Sequence, residues 1–397
     1  MGYDRGRRAG VAQLAERQPS KLNVAGSNPV SRSISSSRGG DAPPDRTATQ
    51  RRATIAMSAL SLRRALARTI RPGPSLTSNA AALSSGYRSE AVPADPGGHV
   101  HDAASARAYA AARMPATYAA CARAMAAAAD RLPGFHPIRV LDVGAGTGAA
   151  SWAAISVWPS LAELTLVDRE PAAVAFGRRI AAAEPGRLAG ATWSVADINR
   201  ELPERADLVV AAYILGDLAT ADTAATVERL WASTDGVLIL VEPGSRAGFE
   251  RIRTARAALI ADGGHVAAPC PGDEACPIVD PAWCHFLARL DRSPLQRGAK
   301  AADRSWEDEP FSYVAVARPA VVAEPAPRVV LGRPRQRPGV VEVRVCRDGR
   351  IEQRTLSRRD GPAWKAARDL EWGDPVPGEV LAAGRQAAPG PKPDRGR

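Results

Sequence analysis

The sequence of 397 residues contains only five cysteines and has no long uncharged apolar run. Five unevenly spread cysteines are too few for a secreted disulfide scaffold, and the first residues lack the apolar core of a signal peptide. Charged residues, glycine or proline interrupt every alanine-rich stretch before it reaches the roughly 18 apolar residues that a membrane-spanning helix needs. The sequence therefore predicts a water-soluble protein in a reducing compartment, with no membrane partner.

Charge is distributed unevenly along the chain, which has 53 basic and 42 acidic residues and a net charge of +11. Residues 1–56 contain 10 basic and 4 acidic residues, and residues 320–397 contain 16 and 10, so each end has a net charge of +6. The chain between them is about neutral, and 45% hydrophobic residues overall allow a sizeable core. We expect an acidic partner to bind at one of the ends.

Residues 1–56 are expected to be a mis-called or disordered extension. The stretch GVAQLAERQPSKLNVAGSNPVSRS, residues 10–33, resembles the peptide obtained when a transfer-RNA gene is translated on the wrong strand. Met57 then offers a natural start. The alternative is a transit peptide, because the segment is rich in Arg and Ser and poor in acidic residues. Neither interpretation gives core periodicity before Met57, so we expect deletion of residues 1–56 to leave stability unchanged.

The remaining chain predicts four regions. Residues 57–135 are helical in pattern, most clearly from His101 to Arg131 with an interruption at Pro115. Residues 136–319 alternate strands with helices, which predicts an α/β fold with a doubly wound, mostly parallel sheet that binds ligands at the carboxyl ends of its strands. The seven predicted strands are Arg139–Val143, Glu163–Asp168, Thr192–Asp197, Asp207–Leu215, Gly236–Glu242, His265–Pro269 and Ser312–Ala317.

The α/β domain contains an insert, and two further regions follow the domain. The insert, at residues 270–310, holds three cysteines and is too long for an ordinary loop. Residues 320–374 include an alternating strand pair with a turn at Asp348–Gly349, which predicts a small basic β module. Residues 375–397 are expected to be a disordered tail.

A glycine-rich loop follows the first strand. Gly144, Gly146 and Gly148 open a helix, where glycine lets the backbone turn tightly and approach a ligand without a Cβ in the way. The same run satisfies G-x-G-x-x-A, so a dinucleotide is one alternative ligand. A fold without a ligand is the other.

Three aspartates favour S-adenosylmethionine. Asp142 precedes the loop, where an acid suits the cationic methionine end, Asp168 ends the second strand within reach of ribose hydroxyls, and Asp197 ends the third within reach of an adenine amino group. Each alone could be a helix cap or a solvated strand end. Their combined spacing resembles class I methyltransferases, which predicts a cofactor site at Asp142, Gly144, Gly146, Gly148, Asp168 and Asp197.

Catalytic residues are not identified. Residues 212–217, which follow the fourth strand, lack the D/N-P-P-Y motif of enzymes that methylate a base amino group. No cysteine lies at the ends of the fourth or fifth strands, so covalent attack on a pyrimidine is unsupported. Tyr213 is a candidate for stacking or positioning, although packing is the commoner role of such a residue.

Four cysteines form a candidate metal site. Cys270, Cys276, Cys284 and Cys346 are separated by 5, 7 and 61 residues. No C-x2-C zinc pair is present, and the prolines after Cys270 and Cys276 are typical of iron–sulfur ligands. Spacing alone leaves three alternatives: an iron–sulfur cluster, zinc, or unliganded thiols.

Several motifs resemble the mitochondrial small-ribosomal-subunit methyltransferase-like assembly family, which also has bacterial members. They are LDVGAGTG, YILGDL, VEPGSRAGFERIRTAR, APCPGDEACP, WCHFLARLDRS, EDEPFSYV, RVCRDG and ARDLEWGD, and they span about residues 83–374. The resemblance implies a class I methyltransferase fold, association with the small subunit or its RNA, and a [4Fe-4S] cluster on the same four cysteines.

Three functions remain open. A ribosomal RNA methyltransferase fits the intact glycine loop, whereas a non-catalytic iron–sulfur assembly factor fits the missing catalytic motif. A small-molecule methyltransferase explains neither the cysteines nor the basic end. The expected partners are small-subunit ribosomal RNA and ribosomal proteins, without DNA, and the expected location is the bacterial cytoplasm, bound to ribosomes.

Overall fold

The computed structural model describes residues 46–88, 100–198, 202 and 205–386. Its centre is an eight-stranded sheet in the order β3-β2-β1-β4-β5-β8-β6, with β7 paired to β8. Strands β1 to β5 pair in parallel, and β8 runs antiparallel to β5, β6 and β7. The strands are β1 (Arg139–Val143), β2 (Glu163–Asp168), β3 (Thr192–Val195), β4 (Ala206–Ala212), β5 (Thr234–Pro243), β6 (His265–Ala268), β7 (Phe286–Asp291) and β8 (Trp306–Ala317).

Helices cover both faces of this sheet. Two consecutive residues of β1 belong to separate hydrophobic cores. Val140 packs with residues of the first six helices of the chain, and Leu141 packs with residues of the seventh and eighth. The helices are α1 (Arg46–Thr69), α2 (Pro74–Arg88), α3 (Ala103–Ala112), α4 (Met114–Ala129), α5 (Ala149–Val157), α6 (Pro171–Ala182), α7 (Thr220–Ala232), α8 (Arg246–Ala261) and α9 (Pro294–Lys300). The arrangement is a Rossmann-like class I methyltransferase sheet, so the predicted fold class is confirmed.

A second sheet forms the C-terminal module. It has the order β10-β11-β12-β13, with β9 also paired to β11, and two helices cover one face. Its core is separate, with Val343, Val345 and Leu356 at its centre. The elements are β9 (Val329–Val330), β10 (Arg335–Arg337), β11 (Val340–Arg347), β12 (Arg350–Ser357), α10 (Gly361–Asp369), α11 (Gly378–Ala383) and β13 (Arg385–Gln386). The predicted turn is present, with positive φ at Asp348 (46°) and Gly349 (64°).

The folded chain extends beyond the predicted limits at Met57 and at residue 375. Helix α1 begins at Arg46 rather than at Met57, because Ile55 packs on the main core and its carbonyl accepts a hydrogen bond from Tyr118 Oη at 2.8 Å. The expected tail from residue 375 is ordered through Gln386, because Val376, Val380 and Leu381 pack in the module core. The parts of these two segments that remain, residues 1–45 and 387–397, lie outside the described residues.

The insert also differs from a plain loop. Residues 286–291 form β7, a strand absent from the sequence prediction, and β8 begins at Trp306, six residues earlier than expected. The pattern FLARLD alternates buried and exposed residues only over a short stretch flanked by the cysteine segment. In the described part of the chain, no helix is long and apolar enough to cross a membrane.

Candidate functional site

The glycine loop lies at the carboxyl end of β1, and its three glycines have different surroundings. All three have positive φ, at 68°, 54° and 90° for Gly144, Gly146 and Gly148. A Cβ on Gly144 would lie 2.3 Å from Ile214 Cγ2, and one on Gly148 would lie 2.8 Å from Trp193. A Cβ on Gly146 would meet no atom within 4 Å. Gly146 is therefore the part of the loop that faces open space.

Asp168 connects the end of β2 to this loop. Its carboxylate accepts hydrogen bonds from the backbone N–H of Gly146 at 2.7 Å and of Glu170 at 2.8 Å. Burial raises the pKa of Asp168, while these two bonds oppose that rise. The carboxylate and the open face of Gly146 thus lie next to each other at the carboxyl edge of the sheet.

The other two predicted aspartates lie differently. Asp142 is 1% exposed, and its Oδ2 accepts bonds from Ser151 N at 2.9 Å and Ser151 Oγ at 2.7 Å. Burial raises the pKa of Asp142 to about 6. Asp142 therefore joins the loop to α5 from the protein interior, whereas Asp197 is exposed just after β3.

Tyr213 occupies the position after β4 where the catalytic motif was missing. It has φ of 62°, a strained backbone conformation for a bulky residue. Its Oη donates to Glu309 Oε1 at 3.3 Å, and Glu309 accepts both NH groups of Arg113 at 2.7 and 3.1 Å. Burial raises the pKa of Tyr213 well above its usual value, so the phenol stays a donor.

Glu242 anchors the loop after Tyr213 to the end of β5. Its side chain is 1% exposed and accepts from Leu215 N at 3.0 Å and from Arg251 Nε at 2.7 Å. Burial raises the pKa of Glu242 to about 7, against the effect of Arg251. Glu309, Arg113 and Glu242 were not predicted, because residues 113, 242 and 309 lack a common motif and only the fold brings them to one edge.

The four cysteines of the insert and the module line one cavity of about 60 Å³. Cys276, Cys284 and Cys346 pack against the apolar side chains of Phe249 and Leu331. Cys346 reaches this cavity because β11 alternates: Val345 faces the module core, and Cys346 faces the opposite side. The 61-residue separation in sequence is therefore closed by the docking of the module.

The thiols differ from ordinary exposed cysteines. Burial raises the pKa of Cys270 and Cys284, and it raises that of Cys346 to about 12. Within the described ranges, no group of three or more His, Cys, Asp or Glu side chains is arranged to hold a metal ion. Cys121, the fifth cysteine, is fully buried in α4 apart from this set.

The basic surface lies on the module next to this cavity. From Arg328 to Arg359 the sequence has ten basic and three acidic residues. Arg344 is exposed two residues before Cys346, on the same face of β11, and Arg350 is exposed at the start of β12. The β11–β12 turn reaches the insert, since a Cβ on Gly349 would lie 3.2 Å from Glu274 Cβ.

The strand order and the glycine loop define a class I methyltransferase fold, to which this chain adds a cysteine-lined cavity and a basic module. The chain belongs to the Rsm22 family: its residues 103–377 match the family described as mitochondrial small ribosomal subunit Rsm22.

The chain matches only part of the length of each relative described here. The chain is 33% identical over 293 residues to the mitochondrial ribosome assembly protein METTL17 of Homo sapiens, which covers 68% of this chain and 62% of the relative. It is 25% identical over 299 residues to the mitochondrial Rsm22-cox11 tandem protein 2 of Schizosaccharomyces pombe, covering 61% of this chain and 39% of the relative.

Among solved structures, magnesium protoporphyrin IX methyltransferase of Synechocystis PCC 6803 with bound SAM is similar. It shares 16% identity, covers 51% of this chain and 80% of its own, and has a TM-score of 0.33. The fold assignment rests on the strand order and not on this similarity.

Proposed function

We propose that this protein associates with the small ribosomal subunit and binds its RNA during assembly. The observation that carries the proposal is the cavity where three cysteines of the insert meet Cys346 of a basic module. Guanidinium groups on that module suit phosphate contacts. Membership of the Rsm22 family and the names of the relatives, which concern mitochondrial ribosomes, support the same function. The bacterial cytoplasm remains our prediction for its location.

A [4Fe-4S] cluster on Cys270, Cys276, Cys284 and Cys346 is part of this proposal. The donor set fits such a group, because four thiols line a single cavity and thiolates are the usual ligands of iron–sulfur clusters. Zinc is the alternative, since it binds the same ligands. When bound, either group would cross-link the insert to the module, because metal-binding energy contributes directly to folding.

S-adenosylmethionine is the proposed small-molecule ligand, held by Asp142, Gly144, Gly146, Gly148, Asp168 and Asp197. The open space at Gly146 beside the Asp168 carboxylate fits a ligand with hydroxyl groups. The cofactor would supply a methyl group, and the enzyme activity we favour is RNA methylation. Asp168 and Asp197 would bind the nucleoside, and Asp142 would orient the loop through Ser151.

The alternative is a non-catalytic assembly factor with the same fold. The observation in its favour is the environment of Tyr213, whose hydroxyl is already bound to Glu309, while Arg113 occupies both oxygens of that carboxylate. This arrangement offers no group that is evidently poised to remove a proton from an RNA base. We assign no catalytic residue.

Three measurements test the proposal. Protein purified without oxygen should be brown with about four irons per chain, and a colourless protein with one zinc would replace the cluster. Cross-linking in cells followed by sequencing of bound RNA should recover small-subunit ribosomal RNA. Loss of one methyl group in the RNA of a deletion strain, restored by wild type but not by Asp168→Ala, would establish the enzyme. An unchanged methylation map with defective subunits would establish the assembly factor.

A further inference from the structure

Arg256 is a buried charge beside the cysteines, and it lies on α8. Its side chain is 6% exposed and lines the cysteine cavity. One terminal nitrogen donates to the carbonyl oxygens of Gly272 at 2.7 Å and Glu274 at 2.9 Å. A buried guanidinium is costly unless it is bound or paired, so these contacts hold a group that the fold otherwise disfavours.

The loop from Cys270 to Cys276 is held on its other side as well. Asp273 accepts a hydrogen bond from Val266 N at 2.7 Å and lies 3.0 Å from His265 Nδ1. Residues 272, 273 and 274 are therefore each fixed by the protein around them, Arg256 fixing two. The six-residue step between two of the four thiols is shaped by contacts outside the thiols themselves.

We propose that Arg256 is a positioning residue of the cysteine site, which fixes the Cys270–Cys276 loop through two carbonyls and places a positive charge beside the thiolates. The role rests on the proposed iron–sulfur function. A [4Fe-4S] cluster with four thiolates has a net negative charge, and its reduction adds an electron. A nearby cation and N–H groups directed at sulfur favour the reduced form and raise the reduction potential.

Arg256 lies beside thiols from both parts of the site. Its side chain lines the cavity together with Cys270 of the loop and Cys346 of the module. Arg344, on the module, lies two residues before Cys346 on the same face of β11. Arg256 is the more enclosed of these two arginines, since Arg344 is exposed.

The experiment compares three variants in the full chain, purified without oxygen. Arg256→Gln removes the charge, Arg256→Lys keeps it but is shorter and lacks the guanidinium nitrogen that binds two carbonyls, and Arg253→Gln is the control. Arg253 lies on the same helix and also lines the cavity, but its side chain is 42% exposed and pairs with Glu250 at 2.6 Å. Iron content, the reduction potential by spectroscopic titration, and the half-life of the cluster colour in air are measured for each.

We expect Arg256→Gln to lower the potential and to shorten the half-life of the cluster several-fold. Arg256→Lys should retain the wild-type potential with a shorter half-life, because charge is kept and loop geometry is not. Arg253→Gln should match wild type in both. The separate responses of potential and half-life distinguish positioning from a general loss of stability.

Four results would overturn the inference or the proposed cluster on which it rests. If Arg256→Gln and Arg256→Lys both keep the wild-type potential and half-life, Arg256 has no role at the site. If Arg253→Gln changes the potential as much as Arg256→Gln, the effect is not specific to Arg256. Wild-type protein without iron overturns the cluster itself and this role of Arg256 with it. Wild-type iron content with an unaffected Arg256→Gln overturns only the positioning role.

Discussion

The ion pair between Arg113 and Glu309 joins the N-terminal helices to the sheet, and its loss should be costly. Two hydrogen bonds of 2.7 and 3.1 Å connect the groups, whose side chains are 24% and 9% exposed. Removing one member of such a pair leaves an uncompensated buried charge, which costs about 3–5 kcal/mol. We therefore expect Arg113→Met or Glu309→Leu to lower the free energy of unfolding by about that amount.

The double variant separates the pair from its surroundings. Replacing both members of a buried pair by apolar residues of similar volume is often close to neutral. Arg113→Met combined with Glu309→Leu should therefore be more stable than either single variant. The remaining cost should come from Tyr213 Oη, which loses its acceptor at 3.3 Å, at about 1–3 kcal/mol for an unsatisfied buried donor.

The assay is urea unfolding followed by circular dichroism, with the free energy taken from the midpoint at constant slope. Arg289→Met is the matched control, because Arg289 binds Asp308, the neighbour of Glu309 on β8, at 2.8 Å with a side chain 58% exposed. An exposed pair of this kind contributes about 0–1 kcal/mol. Single-variant losses as small as the control's, or strictly additive losses in the double variant, would refute the reasoning.

Three further outcomes are expected. Deleting residues 1–56 should lower the melting temperature, because it removes the Ile55 carbonyl that Tyr118 Oη binds; a melting curve equal to that of the full chain would contradict this. Asp142→Asn should weaken the pH dependence of stability. The raised pKa of Asp142, about 6 against 3.8, gives stability that is present at low pH and lost as pH rises through about 6, and parallel urea midpoints across that range would contradict it. Asp168→Ala should weaken S-adenosylmethionine binding about 10- to 150-fold by calorimetry, from a lost contribution of roughly 1.5–3 kcal/mol. Binding of NADH in place of S-adenosylmethionine would favour the dinucleotide alternative.

The central sheet could be predicted from sequence because each strand has a strong local signal. The bounds of β1 and β2 agree with the prediction residue for residue, since both are short apolar runs next to turn residues. The additional strand β7 could not be predicted in this way. Its residues Phe286–Asp291 become a strand only by pairing with the first half of β8, a tertiary contact that the local pattern does not contain.

The prediction that the folded chain begins at Met57 was wrong for a related reason. The segment before Met57 is rich in polar residues and lacks an apolar period, so its helix has little intrinsic amphipathicity. Ile55 nevertheless packs on the core, and Arg51 pairs with Asp130 at the end of α4. Such contacts between residues far apart in sequence stabilise a helix that propensity and periodicity alone do not predict.

The site residues also divide into those that could be predicted from local sequence and those that could not. The glycines and aspartates could be found because strand ends of a parallel sheet share one edge, a rule that depends only on chain order. The cluster of Arg113, Tyr213 and Glu309 could not, because its members come from a helix junction, a loop and an antiparallel strand. The distinct roles of the glycines also needed the structure: Gly144 and Gly148 make room for Ile214 and Trp193, and only Gly146 faces open space.

The β11–β12 turn explains why the fourth cysteine reaches the cavity. Side chains alternate along a strand, so a register shift of one residue would send Cys346 into the module core and Val345 toward the other thiols. The register pairs Cys346 with Ile351 and is set by a two-residue turn with positive φ at Asp348 and Gly349. The same turn touches Glu274 in the cysteine loop. The residues RDGR therefore determine both the face on which Cys346 lies and the contact that brings that face to the insert.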